Sequence, residues 1–348
     1  MILGIPRLPR ISRILNVLGQ AVRARMTSRR IPLKIILQIT SRCNLRCSYC
    51  YVPFRDYQDR KDMTTRQVLD LIDLFHAKGT RWLWIVGGEP LLRPDLDLIV
   101  SHAQKKGIFT DLTTNGLLIR ESHIPLLKKL DSLCVSVDSS IEAHDAYRGE
   151  GSYEKLGEII AMLVRNGIRP RLHSMLTKKT AGHLEELEKF ASSRGVLYNY
   201  CEILKEGGHP DDLSAAEHEE FYKDYLRIGG FRSASANSRY AMEKLLAWPK
   251  AGVTLSPQEA ESVDPSRYVS CRCGDLQCFV DVDGSLYSCS ARWKKGRNIF
   301  RDGFDAAWEF LSRRECAACR CLGMAEASLL LQASPAWYLQ ALKNLLRI

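Results

Sequence analysis

Between residues 33 and 205 short apolar runs alternate with longer amphipathic stretches. The runs at 33–37, 82–86, 109–113, 132–137, 169–176 and 197–203 have the length of buried strands. The stretches at 65–78, 95–106, 154–166 and 182–194 repeat apolar residues at helical spacing. Two of them end in Lys78-Gly79 and Asn166-Gly167, as helix C-termini often do. Six strands alternating with helices predict an α/β fold with a parallel sheet and right-handed crossovers. A partial (β/α)6 TIM-type barrel is the natural form, with its chemistry at the C-terminal ends of the strands.

The alternation stops near residue 206. Segments 206–210 and 231–238 are rich in Gly, Ser and charge, and cysteines become dense from Cys271. The expected organisation is therefore a segment 1–30, a barrel 31–230, a linker 231–265, a small cysteine-rich domain 266–325 and a C-terminal amphipathic helix 326–348. Within the cysteine-rich part, Asp283-Gly284 between apolar flanks predicts a β-hairpin with a two-residue loop. Ser334-Pro335 reads as the start of the last helix, with Trp337, Tyr338, Leu342, Leu345 and Leu346 on one side.

Composition excludes disorder and fibrous repeats: of 348 residues 45% are hydrophobic and 26% charged. No apolar run reaches the ~18 residues of a membrane span, and no secretory signal is evident. A cytoplasmic location follows, and with it twelve cysteines that serve metal or redox chemistry rather than disulfides. The net charge is +10, but seven arginines and no acid fall within residues 1–30. The remainder is nearly balanced, so no nucleic-acid partner is expected. Ile11, Ile14, Leu15, Leu18, Val22 and Met26 recur at helical spacing between those arginines. This basic amphipathic helix suits either peripheral contact with an anionic membrane surface or packing of its apolar stripe on the barrel.

Directly after the first strand comes Cys43-Asn-Leu-Arg-Cys47-Ser-Tyr-Cys50. Three soft thiolate ligands on one loop select iron–sulfur or zinc. Four-iron clusters are usually held by four Cys, so three local ligands leave one iron open. The spacing CxxxCxxC resembles the radical S-adenosylmethionine (SAM) superfamily, and so do three further motifs in the same order. Gly87-Gly88-Glu89-Pro90 resembles its GGEP motif, Thr113-Thr114-Asn115-Gly116 its TTNG, and Ser136-Val-Asp138 with His144-Asp145 and Arg148-Gly149 its SxD…HD…RG stretch. The resemblance covers residues 33–325. It implies a [4Fe-4S] cluster on Cys43, Cys47 and Cys50, with SAM bound at the open iron. It places Gly87, Gly88, Glu89, Thr114, Asn115, Ser136 and Arg148 around SAM, with Tyr49 against the adenine. By the family's chemistry, one electron cleaves SAM to a 5′-deoxyadenosyl radical that abstracts hydrogen from an unactivated carbon. A flavodoxin or ferredoxin would supply the electron.

The second cluster reads Cys271-Arg-Cys273, Cys278, Cys289, then Cys316-Ala-Ala-Cys319-Arg-Cys321. Seven thiols in about 50 residues argue for metal, with a zinc ribbon as the plain alternative. Gly284-x4-Cys289 and the CxxC pair resemble the SPASM/twitch extension, which implies an auxiliary [4Fe-4S] cluster. Its ligands would be four among Cys271, Cys273, Cys278, Cys289, Cys316, Cys319 and Cys321. The full extension expects CxxCx5CxxxC, and this chain has only CxxCxC, which favours one auxiliary cluster over two. Cys134 and Cys201, inside expected strands, read as buried structural thiols.

The resemblance leaves the substrate open among peptides, lipids and small molecules. Ser290 stands where sulfatase-maturing relatives carry a catalytic Asp, which counts against that activity. The short segment before the first strand has no room for the winged-helix domain of many peptide-modifying relatives. The basic segment favours a lipid substrate at the membrane surface, with a ribosomal peptide or cofactor precursor as the alternative. A non-catalytic iron–sulfur or zinc protein is the remaining reading.

Overall fold

The computed structural model describes residues 8–52, 61–203, 208–228, 233–249, 253–292, 295–312, 315–332 and 334–335. Its centre is a nine-stranded sheet. Six parallel strands come from the expected runs: β1 (Lys34–Gln38), β2 (Trp82–Val86), β3 (Phe109–Thr114), β4 (Ser132–Ser136), β5 (Arg171–Leu176) and β6 (Leu197–Glu202). They follow one another in space as in sequence, the signature of the partial (β/α)6 barrel.

Helix α1 (Leu8–Thr27) precedes β1, and the crossovers carry α2 (Thr65–Ala77), α3 (Leu96–Lys105), α4 (Ile124–Leu127), α5 (Ile141–Arg148), α6 (Ser152–Arg165) and α7 (Leu184–Arg194). Thr64 caps α2 through a capping box with Gln67, and Gly195 ends α7 in the left-handed region. The helices bury one stripe each against the outward side chains of the strands, such as Ile35, Leu37, Leu83, Ile85 and Leu112. The opposite strand faces point into the barrel lumen, where Lys34, Trp84, Asp111, Arg171, His173 and Asn199 line a cavity.

Helix α8 (Ala215–Ile228) ends the segment assigned to the barrel, and the expected linker is folded, with helix α9 (Arg239–Leu246); the two bury Tyr222, Tyr225, Met242 and Leu245 in the main core. A short β7 (Thr254–Leu255) and α10 (Pro257–Glu261) follow.

The cysteine-rich segment joins the main sheet. Strand β8 (Gln277–Val280) pairs parallel to β1 on its free edge, and β9 (Ser285–Tyr287) and β10 (Arg297–Asn298) add antiparallel beyond it. This covers a barrel edge that would otherwise offer unpaired backbone groups. The hairpin loop holds three residues rather than two: Asp281 N donates to Ser285 O, and Gly284 N to Asp281 O, with Gly284 at φ +82°. That is a turn closed by a left-handed glycine. Helices α11 (Ile299–Asp302) and α12 (Phe304–Phe310), strand β11 (Ala318–Cys319) pairing with β7, and helix α13 (Leu322–Leu331) complete the fold. The C-terminal helix side predicted at Trp337–Leu346 lies outside the described residues.

Helix α1 packs with a face that takes in only part of the expected stripe, Ile14 and Leu18 being half-buried. Ala21 and Ala24 are buried against Leu33, Leu276 and Leu331, and Val17 is buried beside them, whereas Ile11, Leu15, Val22 and Met26 are exposed. Small side chains let the helix approach the barrel closely, and a bidentate bond from Arg13 to buried Asp131 (2.7–3.0 Å) anchors it. Leu33, Asp131 and Leu276 all precede their strands, so α1 closes the N-terminal end of the barrel, opposite the cysteine loop.

Candidate active site

The loop after β1 carries Cys43, Cys47 and Cys50, and backbone contacts set its shape. Thr40 Oγ1 and Ser41 N donate to the Asp62 carboxylate at 2.5 and 2.8 Å. The loop after β2 closes on it: Gly88 N donates to Thr40 O at 2.7 Å and Glu89 N to Arg42 O at 2.8 Å. A Cβ on Gly88 would stand 2.3 Å from Arg42 O, and one on Gly87 3.0 Å from Thr40 O. The close approach these glycines permit is first that of one loop backbone to another.

Glu89 ties that loop to the next strand. It is fully buried and accepts from Thr114 Oγ1 (2.7 Å), Asn115 N (2.8 Å) and Leu91 N (3.0 Å). Burial raises its proton affinity, and these three bonds oppose the rise. Asn115 Nδ2 in turn donates to Asn44 Oδ1 at 2.8 Å and lies 4.0 Å from Cys43 Sγ. The motifs therefore meet through a hydrogen-bonded chain that ends at the first cysteine.

Burial pushes the Cys43 and Cys47 thiols up and that of Cys50 to about 12, and Cys47 and Cys43 raise Cys50 further. Buried Arg148 pulls Cys47 and Cys50 the other way. Three soft, half-buried sulfurs that repel one another as thiolates fit an iron–sulfur cluster, whose cationic irons would hold all of them deprotonated.

Arg148 Nε donates to Asp138 Oδ2 at 2.8 Å, and Tyr49 OH donates to the same oxygen at 2.8 Å. The guanidinium lies 5.6 Å from the Tyr49 ring centre. Burial opposes its charge, but Asp138, Tyr49 and Cys47 more than offset that. Asp138 does not cap α5, because Ser140 does, accepting from Ala143 N. His144 Nδ1 accepts from Asp138 N at 3.1 Å, and burial lowers its pKa to about 4, so it is a neutral positioning group. Asp145 accepts from Gly151 N and Tyr153 N at the start of α6. The HD…RG stretch thus holds Arg148 beside the cysteine loop.

Cys43, Cys47, Cys50, Gly87, Gly88, Thr114, Asn115, Ser136 and Arg148 all border one cavity of about 430 Å³, which runs along the lumen to Cys201, Phe279, Ser290 and Met324. Tyr49 lies on the same wall, edge-on to Tyr147 at 4.6 Å.

C-terminal thiols gather around Phe279 and Met324, which line that cavity. Cys271, Cys273 and Cys321 form one buried cluster with Phe279, Tyr287 and Met324, and Cys201, Cys289 and Cys319 pack against it. Cys316 joins them, since Cys271, Cys319 and Cys289 all raise its thiol. Cys278 does not. It sits on the outward face of β8 within the main helix–sheet core, and burial alone raises its thiol. Alternation along the strand puts Gln277 and Phe279 on the side of the other thiols and Cys278 away from it. Cys201 departs from its sequence reading in the opposite direction: it is half-buried, lines the cavity and meets Cys321. Cys134 is buried.

Sequence reasoning also passed over Lys34. Its Nζ lies 4.2 and 4.5 Å from the ring centres of Trp82 and Trp84, and burial lowers its pKa to about 8 despite Asp111 nearby. Arg171, His173 and Asn199 share its cavity. The available signal was polar residues at every second position of apolar strands, which marks a polar lumen.

Residues 37–191 match the model of the Radical SAM superfamily. The chain thus carries a radical SAM domain and is a radical SAM enzyme, of the class that works with a [4Fe-4S] cluster and SAM. Over 294 residues it is 25% identical to the mycofactocin maturase MftC of Mycobacterium ulcerans, covering 80% of this chain and 74% of that protein. In fold it is similar to anSMEcpe with bound AdoMet (TM-score 0.62, 18% identity, 90% of this chain and 99% of that one). It is similar also to Streptococcus suis SuiB bound to its precursor peptide SuiA (TM-score 0.61, 16% identity, 92% and 69%). In SuiB bound to S-adenosylmethionine, the chain covers 61% of the structure's length.

Proposed function

We propose that this enzyme modifies a peptide side chain by hydrogen-atom abstraction. The observation that carries the reading is one shared cavity: the Cys43–Cys50 loop and Cys201 open onto the same lumen, about 430 Å³ in volume, and C-terminal thiols pack around Phe279 and Met324 of its lining. A space of that size encloses a small group or a side chain rather than a folded partner. MftC is a maturase and SuiB binds a precursor peptide, which supports a peptide substrate. The lipid substrate suggested by the basic segment has no such support, although Ile11, Leu15, Val22 and Met26 of the stripe that motivated it are exposed.

In this reading Cys43, Cys47 and Cys50 hold the cluster. Gly87, Gly88, Glu89, Thr114, Asn115 and Ser136 shape the wall for SAM, with Arg148 as its fixed cation and Tyr49 as an apolar face. When bound, cluster and SAM supply the radical that removes hydrogen from substrate. Lys34, Asp111, Arg171, His173 and Asn199 orient the substrate in the lumen, and α1 keeps water from its N-terminal end. The C-terminal thiols hold an auxiliary cluster, and an external flavodoxin or ferredoxin supplies electrons. Contact of the exposed Arg and apolar side of α1 with anionic membrane remains part of the proposal.

The test is anaerobic reconstitution followed by reductant-driven SAM cleavage, wild type beside the Cys43→Ala/Cys47→Ala/Cys50→Ala triple variant, with short peptides encoded near the gene as substrates. The expected result is 5′-deoxyadenosine from wild type alone and a mass change in one peptide. Cleavage that no peptide stimulates or couples to would refute the peptide reading.

A further inference from the structure

The auxiliary cluster was expected to take all its ligands from residues 271–321, yet strand alternation turns Cys278 away into the hydrophobic core. The barrel itself supplies a replacement. Cys201, near the end of β6, places its Sγ 3.4 Å from Cys321 Sγ. In a four-iron cluster each thiolate binds its own iron, so the two neighbouring side chains would turn apart onto adjacent irons. Cys201, Cys321 and Glu202 offer ligand atoms within 4.8 Å of one another.

This meeting is built into the backbone. Leu322 N, next after Cys321, donates to Glu202 Oε2 at 2.6 Å, and Tyr222 OH donates to Glu202 Oε1. The carboxylate next to Cys201 thus holds the first turn of α13 against β6. Gly323 completes the approach, because a Cβ there would stand 3.0 Å from Cys201 Sγ. Cys319 and Cys273 lie in the same cluster of side chains.

We propose that Cys201 is a thiolate ligand of the auxiliary iron–sulfur centre, contributed by the barrel strand rather than by the cysteine-rich segment. The inference rests on the reading that the C-terminal thiols hold such a centre. Ligation releases the thiol proton and joins the cluster covalently to the wall of the substrate cavity. It also gives the substrate lumen and the cluster one shared residue.

The experiment uses the full chain carrying Cys43→Ala/Cys47→Ala/Cys50→Ala, so that any remaining iron belongs to the auxiliary site. Iron and sulfide per chain and the EPR spectrum of the reduced protein are measured after reconstitution. Cys201→Ala, Cys201→Ser and Cys278→Ala are then added separately, with circular dichroism to check folding. The expected result is about four irons in the parent and in Cys278→Ala, and loss of about half or more in Cys201→Ala. Cys201→Ser should retain iron with displaced g-values, a change in ligand atom that a packing defect does not produce. If Cys201→Ala and Cys201→Ser keep the parent's iron and spectrum, or if Cys278→Ala is the variant that loses iron, the ligand assignment is wrong. A parent that binds no iron overturns the auxiliary-cluster reading as a whole.

Discussion

Arg148 and Asp138 meet at 2.8 Å with both side chains buried, and Tyr49 of the cysteine loop donates to the same carboxylate oxygen. One acid thus fixes a cation and an aromatic ring beside the cysteine loop. Removing it with Asp138→Ala leaves a buried guanidinium without its partner, which costs about 3–5 kcal/mol. Urea denaturation of the metal-free protein should show that loss, and affinity for SAM should fall with it. A variant as stable as wild type would mean that the pair contributes nothing to the site.

The two glycines before Glu89 should differ in tolerance. Gly88→Ala drives a Cβ into the Arg42 carbonyl, where only backbone could yield, and overpacking of this kind costs about 1–3 kcal/mol. Gly87→Ala meets its neighbour at 3.0 Å and needs a smaller shift. Iron retained after gel filtration should therefore fall further in Gly88→Ala than in Gly87→Ala. The reverse order would contradict the loop packing described above.

Glu89→Gln keeps shape but turns one acceptor into a donor. The carboxylate faces three donors, Thr114 Oγ1, Asn115 N and Leu91 N, so the amide must leave at least one unsatisfied. The expected cost is about 1–3 kcal/mol in a denaturation midpoint. An unchanged midpoint would show that the link between the second and third strands is not carried by this side chain.

Lys34 makes stability depend on pH. Its pKa falls to about 8 in the folded protein from an ordinary 10.5, so the folded state binds fewer protons between those values. Stability attributable to this residue is lowest below about pH 8 and rises as pH increases towards 10.5, by about 3 kcal/mol in all. Lys34→Met should remove that rise. The observable is the difference between wild-type and variant stability at pH 7 and pH 10; a constant difference would place the Lys34 charge in solvent.

The strands β1–β6, the cysteine triplet and the motifs that follow successive strands were legible in the sequence. Each is a local pattern: strand runs come from hydrophobic periodicity, and CxxxCxxC occupies eight consecutive residues. The face of α1 that packs was not legible. Arg13 needed a partner 118 residues away, and close approach favoured Ala21 and Ala24 over the larger residues of the obvious stripe. The same holds for the expected linker, whose helix α9 is held by burial of Met242 and Leu245 in the main core.

By itself the sequence determined which residue types could do chemistry and where along the chain they fall: thiols after the first strand, thiols again after residue 270, glycines and an acid between. Tertiary structure alone decided which of them meet. Side chains alternate along a strand, so Cys278 faces the core while its neighbours face the thiol cluster. Cys201 and Cys321 are 120 residues apart, and only the pairing of β6 with α13 through Glu202 and Leu322 brings their sulfurs into contact. Sequence spacing measures distance along the chain, and ligand geometry depends on distance across it.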